Sequence, residues 1–237
     1  MNFEGSRVAI VDDVVGQAET TAGIAEEASL VPSIISEADG EFHSLQQLYG
    51  FVQDRNCTAV ICDHRLIQRG FASFDGAEFV ASLYDKGMPS VLLSTFAALD
   101  GDTSIKLHRA RIPSLLPRND LDPLTVMIGL KRCESELAGQ FAPERKPWRT
   151  LVRIESVSKL GETYFAESIV HTWKPDLAIR YPLDLIEDVS IEQHLRNNDR
   201  WPVRLFAEVN VGCNDTNDLF LKSFEWAPEP RANDLAP

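Results

Sequence analysis

The first 138 residues alternate between short apolar runs and longer segments with hydrophobic residues at helical spacing. Five runs are strongly apolar and β-like, and each is followed by a segment with the periodicity of an amphipathic helix. The strand candidates are 7–11, 33–36, 58–62, 90–94 and 114–116, and the helix candidates are 15–29, 43–54, 76–86, 97–110 and 121–138. Fivefold strand–helix alternation predicts an α/β domain with a parallel sheet covered by helices on both faces.

The pattern changes after residue 150, where short alternating segments replace the helical ones. Residues 203–211 show the change best, because Leu205, Ala207 and Val209 alternate with the polar Arg204, Glu208 and Asn210. The strand candidates are 151–157, 164–173, 177–186, 203–211 and 219–226, with one short helix near 190–197. This pattern predicts a small, mostly antiparallel β domain, either a barrel or a sandwich.

The two patterns imply four segments along the chain. We expect a first domain over 1–138 and a linker over 139–150, where two prolines, a glycine and several charges cluster. The β-rich domain would cover 151–227, and the proline-rich residues 228–237 would form a disordered tail. All four tryptophans lie after residue 147, where they could serve core packing or form a stacking surface for a ligand.

Charge and hydropathy limit the partners and the location. The net charge is −13 and no Lys/Arg cluster stands out, so we expect no direct nucleic-acid binding. No apolar run reaches the roughly 18 residues of a membrane span, and the acidic N-terminus is unlike a signal peptide. We therefore expect a cytoplasmic protein.

Polar and charged residues follow four of the five predicted parallel strands. Asp12 and Asp13 follow the first strand, Asp63 the third, Thr95 the fourth and Arg118 the fifth. In open sheets of this class the working site lies at the carboxyl ends of the strands. Helix capping would explain any one of these acids, but it does not explain why three should converge. Converging carboxylates repel, and a divalent cation such as Mg²⁺ relieves that conflict with oxygen ligands.

Three motifs carry a family resemblance over about residues 6–135. Val8-Ala9-Ile10-Val11-Asp12-Asp13, Ala59-Val60-Ile61-Cys62-Asp63 and Val91-Leu92-Leu93-Ser94-Thr95 together resemble the motif series of response-regulator receiver domains. Asp75-Gly76 at the start of the third helix also fits. The resemblance implies a flavodoxin-like fold, with the strands in the order second, first, third, fourth, fifth.

The resemblance also implies roles for individual residues. Asp63 would accept a phosphoryl group from a phosphohistidine of a sensor histidine kinase or a phosphotransfer protein. Asp12, Asp13 and Asp63 would bind Mg²⁺, aided by a backbone carbonyl near Arg65, and Thr95 would donate to a phosphoryl oxygen. Arg118 stands where the family has a lysine.

Several departures from the family pattern leave the chemistry open. Arg118 keeps the charge of the usual lysine but presents a planar fork. Phe96 is bulky where the family has a small residue, and Arg65 could pair with the phosphate or occupy its place. The loop between Asp63 and Gly76 is long, and residues 68–71 would form a contact surface.

Three functions of different classes are compatible with this sequence. The leading one is a bacterial response regulator of a phosphorelay, in which phosphorylation at Asp63 repacks the face formed by the fourth helix, fifth strand and fifth helix. That face could also form a homodimer, and the β-rich half would be a protein-binding output domain. The second is a pseudo-receiver, a scaffold or phosphate sink that phosphorylation does not switch. The third is an enzyme in the β-rich half, for which no nucleophile–base pair is visible.

Overall fold

The computed structural model describes residues 3–67, 69–95 and 103–228 of the 237-residue chain. The chain divides into two units, Met1–Ala142 and Pro143–Pro237. None of the helices in the described parts of the chain is both long enough and apolar enough to span a bilayer.

The first unit contains a five-stranded parallel sheet in the order β2-β1-β3-β4-β5. The strands are β1 (Arg7–Val11), β2 (Val31–Ile35), β3 (Ala59–Asp63), β4 (Ser90–Ser94) and β5 (Leu115–Pro117). Every adjacent pair is parallel. The predicted flavodoxin-like fold is therefore confirmed, including the strand order that the resemblance implied.

Helices cover both faces of this sheet, as the continuous apolar strands predict. They are α1 (Val15–Glu27), α2 (Leu45–Asp54), α3 (Gly76–Asp85), α4 (Ser104–His108) and α5 (Pro123–Leu137). Alternate strand residues point to opposite faces. Val60 and Cys62 thus lie in the core beneath α2, α3 and α4, whereas Ala59 and Ile61 lie in the core beneath α1 and α5.

The predicted and observed elements differ mainly at their ends, which is where pattern reasoning is weakest. Strand β2 begins two residues before the predicted 33–36, and α1 ends two residues before the predicted end. The predicted fourth helix, 97–110, is described from residue 103 onward, where α4 runs into a 3-10 turn at Arg109–Arg111. Its first part lies outside the described residues.

The second unit contains a five-stranded antiparallel sheet in the order β10-β9-β6-β7-β8. The strands are β6 (Trp148–Leu160), β7 (Thr163–Val170), β8 (Ala178–Pro182), β9 (Val203–Val209) and β10 (Leu221–Trp226), and the helix is α6 (Val189–Asn197). The predicted mostly antiparallel β domain is confirmed. A sandwich would need a second sheet, whereas the described residues of this unit form one sheet. Ile191 and Leu195 of α6 pack into the hydrophobic core of this unit.

The junction between the units falls inside the predicted linker, 139–150. Residues from Pro143 onward belong to the second unit, and β6 already begins at Trp148. Arg145 is 2% exposed, and its guanidinium lies 4.6 Å from the centre of the Phe220 ring. The second part of the predicted linker is therefore ordered against the β sheet. Of the predicted tail 228–237, residues 229–237 lie outside the described residues.

Asn210 differs from its predicted position on the polar face of a strand. It lies just past the end of β9 and is fully buried. Its amide donates to the carbonyls of Glu144 and Asp218, at 2.9 and 3.0 Å, and its oxygen accepts from the Phe220 amide at 2.7 Å. Alternation fails here because the strand has ended and the side chain joins three backbone segments.

The tryptophans divide into two groups. Trp173 and Trp201 are partly buried and pack against the core of the second unit. Trp148 and Trp226 are 52% and 46% exposed, and Trp226 meets the His194 ring edge-on at 5.0 Å. Core packing thus accounts for two of the four.

Candidate functional site

Three aspartates meet at the carboxyl edge of the parallel sheet. Asp12 and Asp13 directly follow β1, and Asp63 is the last residue of β3. Val11 is in register with Cys62 across the β1–β3 ladder, so both strands end at the same level. One carboxylate oxygen from each aspartate lies within 4.8 Å of the others, and all three residues are buried. The convergence that the sequence predicted is therefore present.

Burial of these acids disfavours their charged forms. It raises the pKa of Asp12 to about 6, assisted by the nearby charge of Asp63 and opposed by the Val14 amide and Arg118. Burial also raises the pKa of Asp13, and the charge of Asp63 adds to that rise. A cation placed among the three carboxylates would reverse both effects, so the site is electrostatically suited to one.

Arg118 provides positive charge at this edge. Its Nη2 donates to Asp12 Oδ2 at 2.7 Å and to Asp63 Oδ1 at 2.5 Å, and Nη1 lies 3.5 Å from Thr21 Oγ1 in α1. Burial works against the charged guanidinium, but the hydrogen bond to Asp63 and the charges of both acids raise the pKa of Arg118. Within the described parts of the chain, its buried Nε has no hydrogen-bond partner.

Backbone amides occupy the remaining oxygens of the same two acids. The Val14 amide donates to Asp12 Oδ1 at 2.9 Å, and the Arg65 amide donates to Asp63 Oδ2 at 2.8 Å. Each of these two carboxylates therefore accepts one hydrogen bond from a backbone amide and one from Arg118. The amides fix the direction of the side chains, whereas the guanidinium fills the space between them.

Gly76 permits the loop after Asp63 to return against β3. A Cβ atom at this position would lie 1.9 Å from the Asp63 carbonyl oxygen, which no side chain could tolerate. The Gly76 amide donates to the His64 carbonyl at 2.8 Å. Asp75 caps α3 by accepting from the Glu78 amide at 2.9 Å, and it also accepts from the Ser104 hydroxyl. The sequence showed an Asp-Gly pair here, but it did not show this close backbone approach.

The other predicted residues are placed less completely. Thr95 follows β4 and is exposed, and Phe96 lies outside the described residues. His64, which follows Asp63, is buried, and its Nδ1 has no hydrogen-bond partner among the described residues. Arg65 is half-buried, and its backbone amide donates to Asp63 Oδ2. A carbonyl near Arg65 as a metal ligand stays a prediction.

The contact surface predicted at 68–71 is altered by core packing. Residue 68 lies outside the described residues, and Arg69 and Gly70 are exposed. Phe71 is 1% exposed and packs against Phe42 with ring centres 5.2 Å apart. A large apolar side chain gains more by entering the core than by remaining on a loop, so Phe71 does not belong to such a surface.

A comparison with solved structures finds receiver domains that are similar to 54–59% of this chain, with TM-scores of 0.40–0.42. A signal receiver domain of an HD domain-containing protein from Pseudomonas fluorescens Pf-5 is 13% identical, covering 59% of this chain and 94% of that chain, with a TM-score of 0.42. The chemotaxis response regulator CheY4 of Vibrio cholerae is 16% identical, covering 54% and 98%, with a TM-score of 0.40. A CheY-like receiver domain protein from Methanospirillum hungatei JF-1 is 16% identical, covering 57% and 98%, with a TM-score of 0.41.

No protein-family model matches this chain, and no curated protein matches it. At 13–16% identity the structural likeness concerns the fold, and a fold hosts many functions. The flavodoxin-like fold of the first unit rests on its own parallel sheet in the order β2-β1-β3-β4-β5.

Proposed function

We propose that the first unit is a phosphoacceptor receiver domain and that the chain acts as a response regulator. The observation that carries this proposal is the convergence of Asp12, Asp13 and Asp63 at the carboxyl edge of the sheet. Asp63 ends the central strand β3 and is the acceptor, with a sensor histidine kinase or phosphotransfer protein as donor. This is group transfer onto the protein itself, and we assign no enzymatic activity to the second unit.

In the transfer step, an Asp63 carboxylate oxygen bonds to phosphorus while the P–N bond of the donor phosphohistidine breaks. The departing imidazole keeps the electron pair and takes up a proton. Because the Arg65 amide donates to Asp63 Oδ2, it orients the carboxylate. Thr95, which follows β4, would donate to a phosphoryl oxygen, and the guanidinium of Arg118 would meet the added negative charge.

Mg²⁺ suits this donor set, because all three candidate ligands are carboxylate oxygens and no thiol or imidazole joins them among the described residues. Asp12, Asp13 and Asp63 would hold the ion, which when bound supplies positive charge to the oxygens of the incoming phosphoryl group. The raised pKa values of Asp12 and Asp13 favour the same interpretation.

The signal would leave through the face formed by α4, β5 and α5. On α5, Leu124 and Ile128 are 67% and 50% exposed and lie one turn apart, so they form an apolar strip. We propose this strip as a contact for a partner or for a second copy of the chain. The second unit would be a protein-binding output domain, since the net charge of −13 disfavours nucleic acid.

One observation favours the alternative of a pseudo-receiver, which would be a scaffold or phosphate sink without switching. Arg118 donates to one oxygen of Asp12 and to one oxygen of Asp63, the proposed acceptor. If Arg118 never leaves these oxygens, Asp63 is blocked. The two functions make opposite predictions about phosphorylation.

Intact mass after incubation with acetyl phosphate and Mg²⁺ distinguishes the phosphoacceptor receiver from the pseudo-receiver. The wild-type chain should gain one phosphoryl group, and Asp63→Asn should gain none. Asp54→Asn, which changes an exposed acid at the end of α2, is the matched control and should label like wild type. Absence of labelling in the wild type under these conditions would favour the pseudo-receiver, and labelling of Asp63→Asn would show that another residue is the acceptor.

A further inference from the structure

Arg118 already holds one carboxylate oxygen of Asp12 and one of Asp63, which are two of the three candidate metal ligands. Mg²⁺ binds carboxylate oxygens at about 2.0–2.1 Å. Arg118 Nη2 already lies 2.7 Å from Asp12 Oδ2 and 2.5 Å from Asp63 Oδ1, between the two carboxylates. A cation held by Asp12 and Asp63 would compete with the guanidinium for these carboxylates, and its positive charge would repel the guanidinium.

The other hydrogen-bond donors at the site are backbone amides, which move less readily than a side chain. The Val14 and Arg65 amides that hold Asp12 Oδ1 and Asp63 Oδ2 belong to the backbone beside the strands. Arg118 is held by its side chain, and its buried Nε finds no partner among the described residues. An incompletely satisfied guanidinium is less costly to move than a strand-end amide.

We propose that Arg118 is a built-in counter-cation, which a divalent ion must displace to bind Asp12 and Asp63. This rests on the proposed metal site and defines its regulation. Displacement breaks contacts between the residue after β5 and the ends of β1 and β3. Since Arg118 begins the 3-10 turn Arg118–Asp120 that leads into α5, its release links metal binding to that helix. Removing the guanidinium should therefore tighten metal binding.

Manganese(II) is the probe, because its bound and free forms are distinguished by electron paramagnetic resonance without any phosphorylation. Titration of the full chain should give Arg118→Gln an affinity about tenfold or more above that of wild type. Arg118→Lys keeps the charge but loses the planar guanidinium, and its manganese(II) affinity should lie between those of wild type and Arg118→Gln. Arg69→Gln is the control for charge alone: Arg69 acts on the Asp13 carboxyl through its charge, while its exposed side chain lies 4.0 Å from Glu37.

A second measurement follows metal binding in the wild-type chain and uses only the conservative variant Arg118→Lys, for assignment. The Arg118 Nε–H resonance, assigned by its loss in Arg118→Lys, should shift during Mg²⁺ titration with the same midpoint as metal binding. If the ion binds and this resonance stays unchanged, the proposal is wrong.

The variants separate failure of this proposal from failure of the proposed metal site. Equal affinity in wild type and Arg118→Gln, with binding lost in Asp13→Asn, would keep the metal site and overturn the competition. An equal gain in Arg69→Gln would also overturn it, because a general charge effect would then suffice. Absence of binding in every variant would overturn the metal site itself and the competition with it.

Discussion

The substitution Gly76→Ala tests the close backbone approach that positions Asp63. The added Cβ would lie 1.9 Å from the Asp63 carbonyl oxygen, and both groups belong to the backbone. Relief of this overlap requires a backbone shift of about 1 Å or more. The shift would also strain the hydrogen bond from the Gly76 amide to the His64 carbonyl. Unlike a side-chain overlap, this one cannot be relieved by a change of rotamer.

Two opposing effects determine how much Gly76→Ala changes the free energy of unfolding. Overpacking typically costs about 1–3 kcal/mol, and a weakened hydrogen bond adds about 0.5–1.5 kcal/mol. Alanine regains up to about 1 kcal/mol through its helix propensity, and less at the first helical position. We therefore expect Gly76→Ala to lower the free energy of unfolding of the first unit by about 1–3 kcal/mol.

The assay is urea unfolding of the full chain followed by far-UV circular dichroism. Five of the six described helices lie in the first unit, whereas all four tryptophans lie in the second, so tryptophan fluorescence follows the second unit. Gly23→Ala is the matched control, because Gly23 lies inside α1 and an added Cβ meets nothing within 4 Å. It should stabilise the first unit by about 0.4–1 kcal/mol.

The reasoning is refuted if Gly76→Ala is as stable as wild type or more stable while Gly23→Ala behaves as expected. That result would mean that the loop after Asp63 does not approach Gly76 as described.

Two further predictions concern the second unit and the junction. Asn210→Ala should destabilise the second unit by about 2–4 kcal/mol, because three hydrogen bonds of a fully buried side chain are lost, one of them to the buried Phe220 amide. Urea unfolding followed by tryptophan fluorescence measures this, and a loss below about 0.5 kcal/mol would contradict the network. Limited proteolysis should first cut the predicted linker at 139–142 rather than at 144–150, because Arg145 in the second range is buried. Mass spectrometry of the fragments locates the cut. A first cut inside 151–226 would argue against an independent second domain.

The sequence by itself determined the fold class of both units. Strong apolar runs alternating with helical periodicity indicated the parallel sheet, and strict alternation after residue 150 indicated the antiparallel one. These signals are local, because burial on two faces or on one face imposes its own spacing. The strand order came from the resemblance to receiver domains, which the motifs ending in Asp13, Asp63 and Thr95 carried.

The sequence also placed the three aspartates at one edge, since parallel strands all end on the same side of a sheet. It placed Arg118 near them through the same resemblance. It did not reveal that Arg118 binds Asp12 and Asp63 together, because those residues lie 106 and 55 positions away along the chain. Which oxygen each donor occupies depends on side-chain packing across three elements.

Tertiary structure alone decided the remaining features. Arg145 and Asn210 have polar side chains in segments that look like a linker and a solvent-facing strand end, yet both are buried. Phe71 leaves its loop for the core, and Gly76 is required by a carbonyl thirteen residues earlier in the chain. In each case the deciding contact joins segments that only folding brings together, so no local pattern of hydrophobic and polar residues could record it.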